Sequence, residues 1–468
     1  MRSDGAALAG RDERTVNPGV TEASGIVALA LMGTGQLYGM LICLGPIAHE
    51  MRVSFGQTTL FPVSYLLLLT MVLALSRRLW TDLPAWRRFA TGAALLVLGA
   101  CVLAAAGSLP VIVAGGCVEG TGAGLLTAIL AGKVATWMQS RTAAGMFRLE
   151  MWSIVAVLVS GGGVTYVAGW RVLVVLLALA AVLLSAVALF PGQKNAFFSY
   201  DKGESAISRR DLAARWAVIP LCLALALATA GLGTASHHGS FGLMGSVTWV
   251  VVLALLVLSA VIFVACYSSV LVSSVTLFTR LLMIFATVAI TAAVTIAAAG
   301  ATGWLFVGVR QSSLVIGLLL AALVLGRFPR RYIAEMSLPA QGGIMAAGFI
   351  VVAVASTGPD LLLLVPGLFV IGCASTPWLL SLYGTVAAGV SPVGIGAVRG
   401  LLVSGRSSAY VIGILVGGQI GDAFPASHSL QLYGQVMALV GLFLLFLVSL
   451  LYLVPALPRR PARGVETG

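Results

Sequence analysis

Of the fifteen acidic residues in this chain, fourteen lie in tails, in loops or near the ends of apolar runs. Glu119 alone falls near the middle of one. A charged side chain at bilayer depth costs roughly 2.5 to 3.5 kcal/mol on insertion scales, so such a group faces a cavity or a partner. This leaves two chemistries for Glu119: taking up and releasing a proton, or receiving the cationic group of a bound molecule. The alternative is a protonated carboxyl that bonds a neighbouring helix and fixes packing. Arg406 lies inside another apolar run, past Arg399. It is placed to receive an anionic group, to pair with an acid of another helix, or to snorkel to lipid phosphate. Gln36 and Tyr38, in the first apolar run, are candidate cavity-lining groups, although most polar residues in such runs serve helix packing. Lys133 reads as an anchor at the end of its run.

Other reactive residue types are not arranged for chemistry. The six cysteines (Cys43, Cys101, Cys117, Cys222, Cys266 and Cys373) are scattered through apolar stretches without a CxxC pair, the pattern of small packing residues. The four histidines (His49, His237, His238 and His428) fall between apolar runs and read as solvated loop residues. No metal ligand set and no cofactor motif is visible, so none is expected.

The elements that must position these residues follow from composition. The chain has 468 residues, 60% hydrophobic and 9% charged, with a mean hydropathy of +1.06. Soluble domains carry about a quarter charged residues, which excludes a soluble enzyme, a nucleic-acid-binding module and a disordered chain. A membrane-spanning helix needs about 20 apolar residues. Fourteen candidate spans start near Ser24, Thr59, Phe89, Pro110, Leu149, Val172, Arg215, Gly245, Leu281, Leu314, Gln341, Leu361, Gly400 and Gln431. The runs do not alternate apolar with polar residues, so a β-barrel is excluded. The run from Ser24 is too long for a signal-peptide core and is expected to remain as the first span.

The net charge of +12 supports the count by its distribution. With the N-terminus inside, 24 of the 27 Lys and Arg fall in inner connections, and only Arg52, Arg171 and Arg310 fall outside. That is the positive-inside pattern. It predicts a multi-pass protein of the cell (inner) membrane with both termini cytoplasmic, whose surroundings are lipid and not nucleic acid. The longest polar connection divides the chain. The expected organisation is a cytoplasmic tail (1–23), a six-helix bundle (24–190), a cytoplasmic linker (191–214), a helical hairpin (215–266), a second six-helix bundle (267–455) and a cytoplasmic tail (456–468).

Glycine is abundant, at 55 residues, and is spaced for close helix contact. Gly35 and Gly39 share a face, as do Gly413, Gly417 and Gly421, and Gly120, Gly122 and Gly124 are expected to line one patch on the fourth helix. A faint internal repeat sets Gly107-Ser108-Leu109-Pro110 and the subsequent Gly120-Thr121-Gly122-Ala123-Gly124 against Thr357-Gly358-Pro359-Asp360 and Gly372-Cys373-Ala374-Ser375. Such repeats are common in secondary transporters, which bind substrate between related halves.

Several segments then resemble the major facilitator superfamily, and within it the fourteen-helix branch of drug:proton antiporters. Leu44-Gly45-Pro46-Ile47-Ala48 is similar to the L-P-x-I that closes helix 1 there. Glu119-Gly120-Thr121-Gly122-Ala123-Gly124 resembles the Q-G-x-G-x-G of helix 4, and Arg141-Thr142-Ala143-Ala144-Gly145 the R-G-x-A-x-G after it. Gly161-Gly162 and Gly169-Trp170-Arg171 look like the G-G and W-R of helix 5 and its exit. Leu277-Phe278, Ser313 to Leu318, and Arg406 with Gly413 resemble landmarks of the second half. The resemblance runs in order along nearly the whole chain. It implies an all-α, polytopic, major-facilitator-type fold: two six-helix bundles about a central cavity, with an inserted two-helix hairpin, fourteen spans in all. It also implies alternating access, with Gly120, Gly122, Gly124, Arg141, Gly161 and Gly162 as structural or gating residues; the substrate- or proton-binding candidates remain Glu119, Gln36, Tyr38 and Arg406, from their own chemistry and placement.

The chain departs from that pattern where coupling is concerned. The family's helix 1 acid, about nine residues before the proline, is replaced by Gln36-Leu37 here. Gly116 stands where an arginine precedes the helix 4 glutamine, and the loop between helices 2 and 3 keeps only Arg77-Arg78 and Asp82. The expected function is therefore a secondary active transporter exporting small amphiphilic compounds, an efflux antiporter driven by protons. An uncoupled facilitator or lipid flippase of the same fold is the alternative. A periplasmic adaptor is a further candidate partner. A membrane-embedded transferase would need an Asp, His or Lys constellation at one face, and none is present, so the chain is not read as an enzyme. A channel is disfavoured by the lack of a filter segment or ring-forming charges.

Overall fold

The computed structural model describes residues 18–79, 84–140, 156–157, 160–189 and 338–355, with further helical residues within 366–371, 409–418 and 435–442. The expected hairpin, linker, both terminal tails beyond these bounds, and most of the spans after the sixth lie outside the described residues. So do Arg141, Arg406, His237, His238 and His428. The described elements are all helical: α1 (Pro18–Ala30), a π turn (Leu31–Gly35), α2 (Gln36–Met51), α3 (Phe55–Thr58), α4 (Leu60–Leu79), α5 (Ala85–Ala104), α6 (Leu109–Ser140), α7 (Trp170–Leu189) and α8 (Leu338–Ala355).

Among the described residues, five helical stretches are long and apolar enough to cross a membrane: Ala23–Met51, Phe55–Leu73, Trp86–Ala104, Leu109–Leu130 and Trp170–Leu189. They fall on the first, second, third, fourth and sixth expected spans. Helix α1 begins at Pro18, within the expected tail, because proline suits the first turn of a helix. At 1.5 Å per residue the 32 residues of α6 extend about 48 Å, so its last turns reach beyond a hydrocarbon layer of about 30 Å. Helix α7 shows why the runs are apolar all round. Trp170, Leu173, Val174, Leu177, Ala178, Ala181 and Ser185 are buried, while Val172, Leu176, Leu179, Leu183 and Val187 form an exposed stripe at helical spacing. One face packs on protein, and the other suits lipid.

The breaks between helices are built from local chemistry. His49, expected in a loop, is exposed but belongs to the last turn of α2. Arg52 ends that helix in the left-handed region, at φ 54°. Ser54 then opens α3 with a capping box: its hydroxyl accepts from the Gln57 N–H at 3.2 Å, and the Gln57 side chain accepts from the Ser54 N–H at 3.1 Å. Gly169, at φ +85°, separates the helical segment 160–168 from α7, a conformation that glycine adopts without steric cost.

Helices α4, α5 and α6 approach closely because glycines line their contacts. Beyond them, three chain connections meet at one end of the bundle. Arg171 pairs with Glu50 at 2.6 Å and donates to the Ala106 carbonyl at 2.9 Å. The Trp170 indole N–H donates to the other Glu50 oxygen at 2.7 Å. The ends of α2 and α5 and the start of α7 thus share a side.

The faint repeat has a structural counterpart. A Cβ at Gly99 would collide with the backbone of Glu119, and one at Gly115 with Leu103. In the second half Gly348 packs in the same manner on Ile371, and Gly367 on Val352. Gly348 and Val352 lie 249 residues after Gly99 and Leu103, and Gly367 and Ile371 lie 252 residues after Gly115 and Glu119. The second offset also aligns Gly120 with Gly372. The halves meet where Gly418 packs on Thr59 and Gly56, with the Thr59 Cγ2 at 2.8 Å from a Cβ built at Gly418.

Candidate functional site

The first span is continuous but not uniformly α-helical. Its turn at Leu31–Gly35 is a π turn, and the Gln36 N–H bonds the carbonyls of Leu31 and Gly33. In an α-helix that N–H would reach Met32, four residues back. The Met32 carbonyl instead accepts the hydroxyl of Tyr65 from α4. Gln36 comes next, near the midpoint of Ala23–Met51, and Glu119 stands near the midpoint of Leu109–Leu130. The two meet: Gln36 Nε2 donates to Glu119 Oε1 at 2.5 Å.

Glu119 is fully buried and Gln36 nearly so. Among the described residues, the second carboxyl oxygen, Oε2, has no hydrogen-bond partner. Such an oxygen is costly unless it gains a proton or a cation, since a buried charged acceptor without a donor forfeits its hydration. Tyr65 and Cys43, both fully buried, lie within electrostatic reach of Glu119. The Cys43 thiol donates to the Gly39 carbonyl at 3.2 Å. From α5 the neighbour at this level is Gly99, whose missing side chain admits the Glu119 backbone.

The glycines around Glu119 correct the expectation of a single patch. Gly116, Gly120 and Gly124 face α4. Built Cβ atoms there would come to 2.5 Å from Ser64 Oγ, 2.3 Å from the Tyr65 carbonyl oxygen and 2.8 Å from Val72 Cβ. Gly122 faces α5, where a Cβ would lie 2.3 Å from the Leu96 nitrogen. Two residues along a helix are about 200° apart, so Gly122 cannot share a face with Gly120 and Gly124. Gly161 and Gly162 divide likewise. A Cβ at Gly161 meets Ile42 and Leu173 at 3.2 and 3.4 Å, whereas nothing lies within 4 Å at Gly162. Gly35 and Gly39 do share a face, each against Val157.

Of the four binding candidates, the structure brings Glu119 and Gln36 together. Tyr38 is buried but stands about 200° around α2 from Gln36, away from the face that meets Glu119. Arg406 lies outside the described residues. The sequence reading missed Tyr65 and Cys43. Tyr65 carries a signal that could have found it, being a hydroxyl near the midpoint of the apolar stretch Phe55–Leu73. Cys43 lies seven residues after Gln36, on the same face of α2. Among the described residues no cluster of three or more His, Cys, Asp or Glu could hold a metal ion.

No family model and no curated protein matches the chain. Solved structures do match. An auto-inhibited POT family peptide transporter aligns at 14% identity over 95% of this chain and 98% of its own, with a TM-score of 0.58. The nucleoside transporter NupG aligns at 12% identity over 92% and 99%, with a TM-score of 0.59. The human organic anion transporter MFSD10 (TETRAN) aligns at 16% identity over 94% and 100%, with a TM-score of 0.55. At such identities the likeness is one of fold, and the chain has the all-helical fold of these major-facilitator-type transporters.

Proposed function

We propose that this protein is a secondary transporter that exports small amphiphilic compounds across the cell membrane by alternating access, coupled to protons through Glu119. The fold supports transport. The observation that carries the coupling is the Glu119 carboxyl itself, buried at mid-span with one oxygen on the Gln36 amide and the other without a hydrogen-bond partner among the described residues. The enclosure by α2, α4 and α5 fits a proton better than a substrate group, because Gly99, Gly116 and Gly120 leave no space for more than backbone contact. Glu119 takes a proton when the bundles open to one side, loses the charge that ties it to its surroundings, and releases the proton on the other.

Side and direction rest on the charge distribution, which puts the Glu50–Arg171 end outside and both termini in the cytoplasm. Two bundles, the inserted hairpin and a total of fourteen spans belong to the same reading. Arg406 is a candidate for the substrate cavity of the second bundle, and Arg141 a candidate gating residue at the inner end of the fourth span. An uncoupled facilitator or flippase is favoured by one feature. At Gly116 a Cβ would already meet Ser64 and Phe61, so the arginine that the resembled antiporters carry there has no room. The test is transport in proteoliposomes containing a pH indicator, offered ethidium, a dipeptide, a nucleoside and an organic anion with and without a proton gradient. Gradient-dependent movement of any of them, lost in Glu119→Gln, supports coupling. Movement indifferent to both the gradient and the substitution selects the uncoupled reading.

A further inference from the structure

We infer that Tyr65 is a positioning residue for the proton on Glu119 and acts through the π turn of the first span; the inference rests on the reading of Glu119 as the proton site. Three observations carry it. First, the turn diverts the Gln36 N–H from the Met32 carbonyl, and the Tyr65 hydroxyl takes that carbonyl instead. Met32 and Tyr65 are both buried, so no water replaces the donor, and an unpaired buried carbonyl is unfavourable. The π turn therefore persists only while Tyr65 holds it. Second, Gln36 is the first residue beyond the turn. One extra residue in a turn rotates the rest of the helix by about 100°, so the π turn sets the direction in which the Gln36 amide leaves the helix. In the present state that direction ends on Glu119 Oε1. Third, Gly33 lies within the turn and has nothing within 4 Å of a built Cβ. Packing does not require a glycine there, and its effect is to make the helix pliable.

Two arrangements of the same groups compete. In one, Tyr65 bonds Met32, the turn is π, and Gln36 bonds Glu119. In the other, the Gln36 N–H reclaims Met32, the turn is α, and the Gln36 amide swings away from the carboxyl. Tyr65 links the two helices concerned, because its backbone lies against Gly120, the residue next to Glu119. Among the described residues, the groups facing Glu119 are Gln36 and Cys43 from the first span and Tyr65 from α4, with Gly99 from α5, and no charged side chain is among these. A change in Glu119 thus has a short path to the shape of the first span.

The test uses the purified full-length protein in nanodiscs and the infrared C=O band of its protonated carboxyls. Glu119→Gln removes the mid-span carboxyl band, and Gln36→Leu moves it to higher frequency because the hydrogen bond from the amide is lost. Tyr65→Phe, which deletes only the hydroxyl, shifts the band in the same direction as Gln36→Leu. Gly33→Ala, which favours the α turn and fits the open space, does the same and covers the case of a Tyr65 variant that does not fold. Amide exchange over Met32–Gln36 changes with both variants. A band that remains in Glu119→Gln would overturn the proton-site reading, and this inference with it. A band moved by Gln36→Leu but unmoved by Tyr65→Phe and Gly33→Ala would overturn the inference alone.

Discussion

Exchanging the two members of the buried pair tests whether the site is a carboxyl–amide pair or a carboxyl in one particular helix. Glu119→Gln keeps the shape and a hydrogen bond to Gln36, so stability changes by no more than about 1 kcal/mol, yet nothing titrates. Gln36→Glu sets two carboxyls at the 2.5 Å spacing of the present bond. Two charges that close repel by about 7 kcal/mol at an effective dielectric constant of about 20, so the pair holds one proton throughout, and the other leaves a shared dyad at a different pH from the lone Glu119 carboxyl. The double variant, Gln36→Glu with Glu119→Gln, restores one carboxyl and one amide across the same contact. Proton-driven transport in proteoliposomes is expected to fall by about tenfold or more in each single variant and to recover in the double. The double-mutant coupling would then be about 3 kcal/mol in activation terms. A double variant as inactive as the singles would refute the reasoning, since it would show that the position of the carboxyl matters and not its pairing.

Three further outcomes rest on particular contacts. Gly120→Ala places a Cβ 2.3 Å from the Tyr65 carbonyl oxygen and should lower thermal stability in detergent by about 1 to 3 kcal/mol, whereas Gly162→Ala, with open space around it, should be neutral or stabilising by up to about 1 kcal/mol. Glu50→Gln breaks an ion pair whose side chains are 37% and 40% exposed. Its cost should stay below about 1 kcal/mol and shrink further at high salt in unfolding measurements. Gly418→Leu would wedge apart the contact with Thr59 and Gly56; transport should be lost while expression persists, and a cysteine placed at Thr59 should become more reactive to a membrane-impermeant thiol reagent.

The partner of Glu119 was hidden in a departure from the expected pattern. Gln36 stands where the resembled antiporters carry an acid, and Glu119 where they carry a glutamine. Read separately, the two positions look like a lost coupling residue and a stray charge. Their hydrogen bond, across 83 residues of sequence, makes them one pair.

The five described spans and the singularity of Glu119 were legible in the linear chain, because hydropathy and charge act through local solvation and need no tertiary context. The repeat was legible too, in the short turns ending at Pro110 and Asp360 and the small-residue runs that begin at Gly120 and Gly372. Tertiary structure alone decided what Glu119 touches, why Gly122 parts from Gly120 and Gly124, and that Tyr65 belongs to the site. Those facts depend on the angle at which each side chain leaves its helix and on which helix lies opposite. A single π turn changes that angle by about 100° without altering composition or periodicity enough to be read.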